Sequence, residues 1–254
     1  MPLCHVTPAI VLRAWPFGES DKIVCFLTRE NGKVTGIAKG AKRSRRRFVN
    51  SLEPFSLVNL RFQDRAHSNL AFILASDLSL GFKHLLASLE KIAFASYLAE
   101  ITDGLIGERE ESRFVFQHLK DGLVHLEEKP PSLMFLTSFE LKLLRLAGYQ
   151  PLLDRCRRCS NGRDQFAVRW HFSLRDGGLL CHSCSPSRRE ILPVSEPTLD
   201  FLTKLQEENS ISPCNVSPST TALEEVRSVM HRFIEFHMDR KIKSASFLHR
   251  FSTV

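Results

Sequence analysis

Apolar and polar residues follow one rhythm in the first third of the chain and another in the rest. As far as about Ser79 they alternate in short runs, and from Phe82 onward they recur three or four apart. A period of two is what a strand with one buried face requires. It predicts strands over 7–14, 22–28, 33–38, 55–63 and 70–77. Pro16-Phe17-Gly18 breaks the first pair, and Glu30-Asn31-Gly32 contains the asparagine–glycine step that a tight hairpin favours. Five strands in about eighty residues suit a small closed barrel, of which the oligonucleotide-binding barrel is the natural candidate.

The second rhythm predicts helices. Leu85, Leu89, Ile92, Ala93, Ala95, Ser96 and Ala99 place small and apolar groups on packed faces, and further helices are expected at 113–126 and 133–146. The last opens after Pro130-Pro131-Ser132, ends at Gly148, and is kept from resuming by Pro151. Helical patterns return at 198–207 and 223–241, on either side of a polar, proline-containing stretch at 209–220. The fold class expected is therefore α+β, with a barrel over 1–80 and a helical domain over 81–254. Within the helical domain a metal module occupies about 153–189, with short strands at 166–170 and 179–180 and a turn at 176–178. At 254 residues the chain exceeds the usual size of one core. Its longest apolar runs, such as 141–146, are interrupted by charges (here Lys142 and Arg145) and fall far short of a membrane span. No internal repeat is visible.

Charge sharpens this outline. The net charge is +7, and Lys33, Lys39, Lys42, Arg43, Arg45, Arg46 and Arg47 crowd one stretch with no acidic residue between Lys33 and Arg47. Solvated surfaces usually intersperse both signs, whereas such a run repels itself unless a polyanion lies nearby. Gly40 and Ser44 mark it as a loop or hairpin tip between the third and fourth strands. Nucleic-acid contact is the reading favoured; a localisation signal or a merely soluble tip would have a similar composition. Four or five working cations on a single strand would supply a log–log salt slope of about −3. Trp15, Phe17, Phe48, Phe55, Phe62 and Phe72 also fall in this module. Most are expected in the barrel interior; Phe48 beside Arg47, with Trp15 and Phe17 beside the turn, are the better candidates for exposure, although packing is favoured over base stacking even for them.

The sharpest motif lies in the second half. Cys156-x-x-Cys159 and Cys181-x-x-Cys184 are two close pairs separated by a ribbon-length stretch. A two-residue gap lets both sulfurs of a pair turn toward one point, and two pairs complete a tetrahedron around a soft divalent ion. One structural zinc ion is the cofactor expected, since four thiolates leave no open coordination position for substrate. Disulfides would use the same residues, but the chain begins without a charged leader and apolar core, so a cytoplasmic location with reduced thiols is expected. The Arg155–Arg158 surroundings do not read as a thioredoxin-like pair. His171 or His182 could each replace a sulfur, and Cys4, Cys25 and Cys214 read as buried free thiols.

Motifs for catalysis are missing: there is no Gly-x-x-x-x-Gly-Lys-Ser/Thr loop, nucleophile elbow, zinc-protease helix or paired-carboxylate motif. Glu19 and Asp21 read as turn and cap chemistry, and Glu110 and Glu111 as solvated charges near a helix start. A non-enzymatic protein is expected. Three readings remain in play: a DNA-binding annealing protein, a zinc-ribbon RNA-binding or translation-associated module, and a nucleic-acid-processing enzyme with structural zinc.

An ordered set of fragments then resembles the RecO family of bacterial recombination mediators. It runs through Pro16-Phe17-Gly18-Glu19-Ser20-Asp21-Lys22-Ile23-Val24, then Thr28-Arg29-Glu30-Asn31-Gly32-Lys33-Val34 and Ala38-Lys39-Gly40-Ala41-Lys42-Arg43. Ser44-Arg45, Phe48 and Leu52-Glu53-Pro54-Phe55 continue it. Phe139-Glu140-Leu141-Lys142-Leu143-Leu144, Gly148-Tyr149-Gln150-Pro151-Leu152-Leu153-Asp154-Arg155-Cys156-x-x-Cys159 and Arg240-Lys241-Ile242-Lys243-Ser244 to Phe247-Leu248 complete it. Arg46 and Arg47 make the basic loop richer than the family's usual pattern, and 209–220 resembles nothing in it. The resemblance implies an oligonucleotide-binding barrel, binding of single- and double-stranded DNA, annealing of complementary strands, and help in placing RecA on strands coated by single-stranded-DNA-binding protein. It implies RecR and the acidic tail of the coating protein as partners, and a cytoplasmic, nucleoid-associated location. Such a tail needs a groove rimmed by cations, for which Lys142 and Arg145 are the candidates.

Overall fold

A computed structural model describes residues 3–66, 68–163, 169–185, 190–208 and 218–251. The chain divides into two compact units, Met1–Pro130 and Pro131–Val254.

The first unit begins with five strands, β1 (Cys4–Phe17), β2 (Asp21–Thr28), β3 (Lys33–Ala38), β4 (Leu57–Arg65) and β5 (Ser68–Leu80). They close into a barrel in the order β1-β2-β3-β5-β4. Alternation decides what fills it: Ala9, Val11, Val24, Phe26, Val34, Ala38, Val58, Leu60, Phe62, Ala71 and Ile73 turn inward and form one buried cluster. Closure depends on the short parallel pairing of β3 with β5 at Gly36↔Ala71 and Ile37↔Phe72. A Cβ at Gly36 would lie 2.3 Å from Ile73 Cδ1, so a side chain there would push the closing strand away. All five expected strands are present, most of them longer at their ends. Pro16 does not end β1, which continues to Phe17 paired with Asp21. Proline lacks an N–H to donate but is tolerated near a strand end.

Three helices pack with the barrel in this unit: α1 (Lys83–Leu86), α2 (Leu89–Leu105) and α3 (Arg113–Glu128). Division by element type at about residue 80 and division by packing at 130 therefore differ. The reason is visible at Asp103 of α2, which is 5 % exposed on its side chain and meets Arg13 Nε at 3.4 Å and Lys33 Nζ at 3.3 Å. Lys33 Nζ also donates to the Asp103 carbonyl at 2.6 Å, and Cys25 Sγ to its carboxylate at 3.6 Å. A buried charge needs such partners, and here they come from β1, β2 and β3. The outward face of β2 and β3 is thereby covered by α2 and the 105–110 segment, with Arg109 N donating to Lys33 O at 3.0 Å and Thr35 Oγ1 to Glu108 Oε1 at 2.9 Å.

The second unit is built on α4 (Leu133–Leu146), α5 (Glu196–Glu208), α6 (Thr220–Met238) and a short α7 (Ala245–His249). Ser132 and Ser219 cap α4 and α6, their hydroxyls accepting from Phe135 N at 3.1 Å and Ala222 N at 3.2 Å. Gly148, with φ +81°, lets Tyr149 N donate back to Leu144 O and stops α4 where the sequence predicts. Phe135, Phe139, Leu143, Leu199, Leu202, Val226, Met230 and Phe233 are buried. A three-stranded sheet, β7-β6-β8, is made of β6 (Trp170–Ser173), β7 (Gly178–Cys181) and β8 (Ile191–Val194). Phe172 of β6 meets Phe233 of α6 edge-on at 5.1 Å, which fastens the sheet to the helices. The strand expected at 166–170 falls mostly outside the described residues, as do most of 209–220 and Cys214; β8 was not anticipated.

Candidate nucleic-acid interface and metal centre

The basic stretch leaves β3 at Ala38 and is strapped to the turn between β1 and β2. Gly40 N donates to Asp21 Oδ1 at 2.8 Å, Lys39 Nζ pairs with Asp21 Oδ2 at 2.8 Å, and Lys42 N donates to Ser20 O at 2.9 Å. Lys42 Nζ adds a bond to Gly18 O at 2.8 Å. Gly40 sits at φ +68°, a left-handed conformation that suits glycine, and this aims its N–H at Asp21. The Gly40 N–H, then the Lys39 ammonium, hold the Asp21 carboxyl well below the usual range, at about 2. Asp21, expected to do turn chemistry, is thus the anchor of the loop.

Beyond the anchor the cations face water. Arg43, Arg45 and Arg46 are exposed, and their guanidinium groups have no ion-pair or hydrogen-bond partner among the described residues. Arg47 is exposed, donates from its guanidinium to Lys39 O at 2.8 Å, and lies 5.1 Å from the Phe48 ring. Lys39 and Lys42 are exposed too, with one side-chain contact each to the turn. The structure thus brings six of the seven expected cations to one loop.

Two expected residues behave differently. Lys33 is buried, its ammonium used by Asp103, and so it cannot reach a solvent-borne phosphate. Phe48 is only 5 % exposed and belongs to the barrel cluster, because the chain turns back after Arg47 and Ser76 N donates to Arg47 O. An aromatic in the core cannot stack on a base. Conversely Trp15 and Phe17 remain 36 % and 48 % exposed.

In the second unit the four cysteine sulfurs, from Cys156, Cys159, Cys181 and Cys184, all lie within 4.8 Å of one another. The Cys159 and Cys181 sulfurs are 3.7 Å apart. A tetrahedron with sulfur arms of about 2.3 Å has edges of about 3.8 Å, so the donor set fits a metal of zinc's size. Local backbone explains the convergence. Cys156 N donates to Asn161 O at 2.8 Å and Ser160 N to Cys156 O at 2.9 Å, with Ser160 left-handed at φ +61°, which curls the first pair into a knuckle. The second pair spans the end of β7 and the single turn His182–Cys184. The two are registered by Arg157 N donating to Leu179 O at 2.7 Å and Leu179 N to Leu152 O at 3.0 Å. Gly178 permits this, since a Cβ there would meet Leu152 O at 2.6 Å. Burial opposes charge on Cys156, yet N–H donors from Cys159, Cys181 and Arg158 outweigh it and bring the thiol down to about 6. Cys184, crowded by the sulfurs of Cys181 and Cys159, is pushed up to about 12. So close a set of thiols resists ionising together unless a cation compensates it. His171 and His182 are outside this four-sulfur group, their rings 6.2 Å apart.

Lys142, half-buried, and the exposed Arg145 flank a dent between α4 and α5 that Ser138, Leu141, Leu205 and Gln206 complete. The dent holds about 10 Å³, room for roughly one water. No helix among the described residues is long and apolar enough to cross a membrane.

The geometry can be set beside known proteins. The model of the Recombination protein O N terminal matches residues 1–82, and that of the Recombination protein O C terminal matches 86–246. DNA repair protein RecO of Anaeromyxobacter dehalogenans (strain 2CP-C) is 37 % identical over 239 residues, covering 94 % of this chain and 93 % of that protein. DNA repair protein RecO of Syntrophus aciditrophicus (strain SB) is 34 % identical over 246 residues, 96 % of this chain and 95 % of its own. That of Thermoanaerobacter sp. (strain X514) is 32 % identical over 244 residues, 95 % and 96 %. A barrel with an anchored basic loop, a four-cysteine cluster that could hold a metal, and likeness over nearly the whole length converge on one conclusion: the chain belongs to the RecO family of DNA repair proteins.

Proposed function

We propose that this chain binds single- and double-stranded DNA, anneals complementary strands and helps place a RecA-type recombinase on strands coated by single-stranded-DNA-binding protein. The observation that carries this reading is the group of unpaired, exposed guanidinium groups of Arg43, Arg45 and Arg46 on a loop fastened to the barrel, in a RecO family member. Lys39, Lys42 and Arg47 extend the same surface. Two strands repel through their phosphates, and cations that hold both lower that repulsion and raise the local concentration of each. No nucleotide hydrolysis and no catalytic group enters, so the role is that of a mediator rather than an enzyme. RecR is the partner protein proposed. For the acidic tail of the coating protein the surface at Lys142 and Arg145 of α4 is proposed, the dent beside them being too small to seat the tail's apolar end. The four cysteines hold one zinc ion, which supplies cross-linking of the knuckle to the β7 end and no reaction, because no coordination position stays open.

Annealing of complementary oligonucleotides, bare and precoated, tests the proposal. The chain should accelerate both without ATP, and the Arg43→Glu/Arg45→Glu/Arg46→Glu variant should lose most of the acceleration. An unchanged rate in that variant would remove the loop from the mechanism. A strong preference for RNA over matched DNA would favour an RNA-binding role instead.

A further inference from the structure

Two partly exposed aromatic side chains lie at the end of β1, beside the turn to which the basic loop is fastened. β1 carries Ala9 and Val11 into the core; after the bulge between Val11 and Arg13, Ala14 packs against that core and Arg13, Trp15 and Phe17 face outward. Trp15 is 36 % and Phe17 48 % exposed, and the Arg13 guanidinium lies 5.2 Å from the Trp15 ring. Single exposed apolar residues are ordinary. Here two large rings lie on one strand face, and the loop that carries the cations is fastened to the turn that follows them. Phe17 pairs across the sheet with Asp21, which anchors Lys39 and Gly40, and Lys42 donates to Gly18, the next residue after Phe17. Of the acidic residues at this end, Asp21 is neutralised by Lys39 and Glu53 by Lys22, which leaves Glu19 exposed in the turn.

We infer that Trp15 and Phe17 are a base-stacking platform for a single strand whose phosphates lie on the 39–47 loop, an assignment that rests on the nucleic-acid reading above. Spacing selects the ligand. Residues two apart on a strand are separated by about 6.8 Å, twice the ~3.4 Å between successive bases of a duplex strand. Consecutive bases of a duplex are stacked on each other and cannot also cover both rings. An extended single strand can lay a base on each, and Arg13 behind Trp15 adds a cation to the stack. A base held by its face keeps its pairing edge free, so the platform would present a strand ready for its complement. It also replaces Phe48, which the fold buries, as the source of aromatic contact.

The chain has two tryptophans, and the other, Trp170, is 3 % exposed in the second unit, so Trp15 is the accessible reporter. Oligothymidylate should quench the fluorescence of the intact protein, and an abasic oligomer of equal length, which offers phosphates alone, should quench little. Trp15→Ala and Phe17→Ala should each lower single-strand affinity about tenfold while duplex affinity stays within about twofold, and Trp15→Phe should restore most of the loss. Equal quenching by the abasic oligomer, or equal losses on single strand and duplex, would overturn the platform. So would unchanged DNA binding by the alanine variants, including the case where they instead lose capture of a partner protein. If the unaltered chain binds neither single strand nor duplex, the nucleic-acid reading of the loop itself falls, a result distinct from the others.

Discussion

Phe17 and Phe48 are both phenylalanines near cations in the sequence, and the fold treats them oppositely: one is 48 % exposed, the other 5 %. Phe48 is therefore a packing residue, and Phe48→Ala should destabilise the protein by about 3–5 kcal/mol, the usual cost of emptying an aromatic site. Denaturant unfolding of the variant would measure this, and the folded fraction should keep its single-strand affinity. Asp21 is the second residue whose role depends on neighbours. Its carboxyl titrates at about 2 when folded against 3.8 when free, so its contribution to holding the loop is complete above about pH 4 and is lost as the pH falls through about 2. Asp21→Asn removes the charge that Lys39 meets and weakens the acceptor for the Gly40 N–H. Faster amide exchange at Gly40 at neutral pH is the expected outcome, and unchanged exchange would show that the loop is held elsewhere.

At the scale of elements, α4, β8 and the knuckle around Cys156 show what local chemistry can and cannot specify. The helix at 133–146 was legible to the residue, because a proline–proline–serine entry and a glycine exit bracket a largely apolar segment. β8 was not, since Ile191–Val194 is too short to display a period and pairs with a strand some twenty residues earlier. The knuckle was legible as a motif because a four-sulfur site able to hold a metal requires its own spacing. Cys156→Ser or Cys181→Ser should reduce bound zinc from one per chain to none, as measured by elemental analysis of protein purified without chelator. Zinc binding stabilises isolated fingers by roughly 10–16 kcal/mol apparent. Here Phe172 packs on Phe233, so disorder should stay near the knuckle and β7, with the signals of α4 and α6 retained in hydrogen exchange. Zinc retained by either variant would contradict the four-sulfur assignment.

For the whole molecule, placement of charge matters more than the net value of +7. Each phosphate neutralised on a single strand contributes about −0.7 to the log–log salt slope, so reversing Arg43, Arg45 and Arg46 should flatten it by about 2. Affinity measured by anisotropy from low to moderate salt would check this, and an unchanged slope would place the phosphates on other cations. The covered face of β2 and β3 bears on the same point. Barrels of this type often take a strand across that face, but here Asp103, Glu108 and Arg109 occupy it. The exposed cations and rings lie instead at the end where β1, β2 and the 39–47 loop meet.

The places of the five barrel strands and of the long helices, the sign and position of the basic tract, and the four cysteines that could hold a metal were legible in the sequence alone. Each rests on local rules of period, capping, charge repulsion or ligand spacing that neighbouring residues satisfy among themselves. Tertiary structure decided which members of those sets are free to act. Lys33 is consumed by a carboxylate seventy residues away, Phe48 is swallowed by the barrel, and Trp15 and Phe17 are left outside by a bulge. Burial and pairing depend on what the chain brings back from a distance, and no local pattern around a lysine or a phenylalanine carries that information.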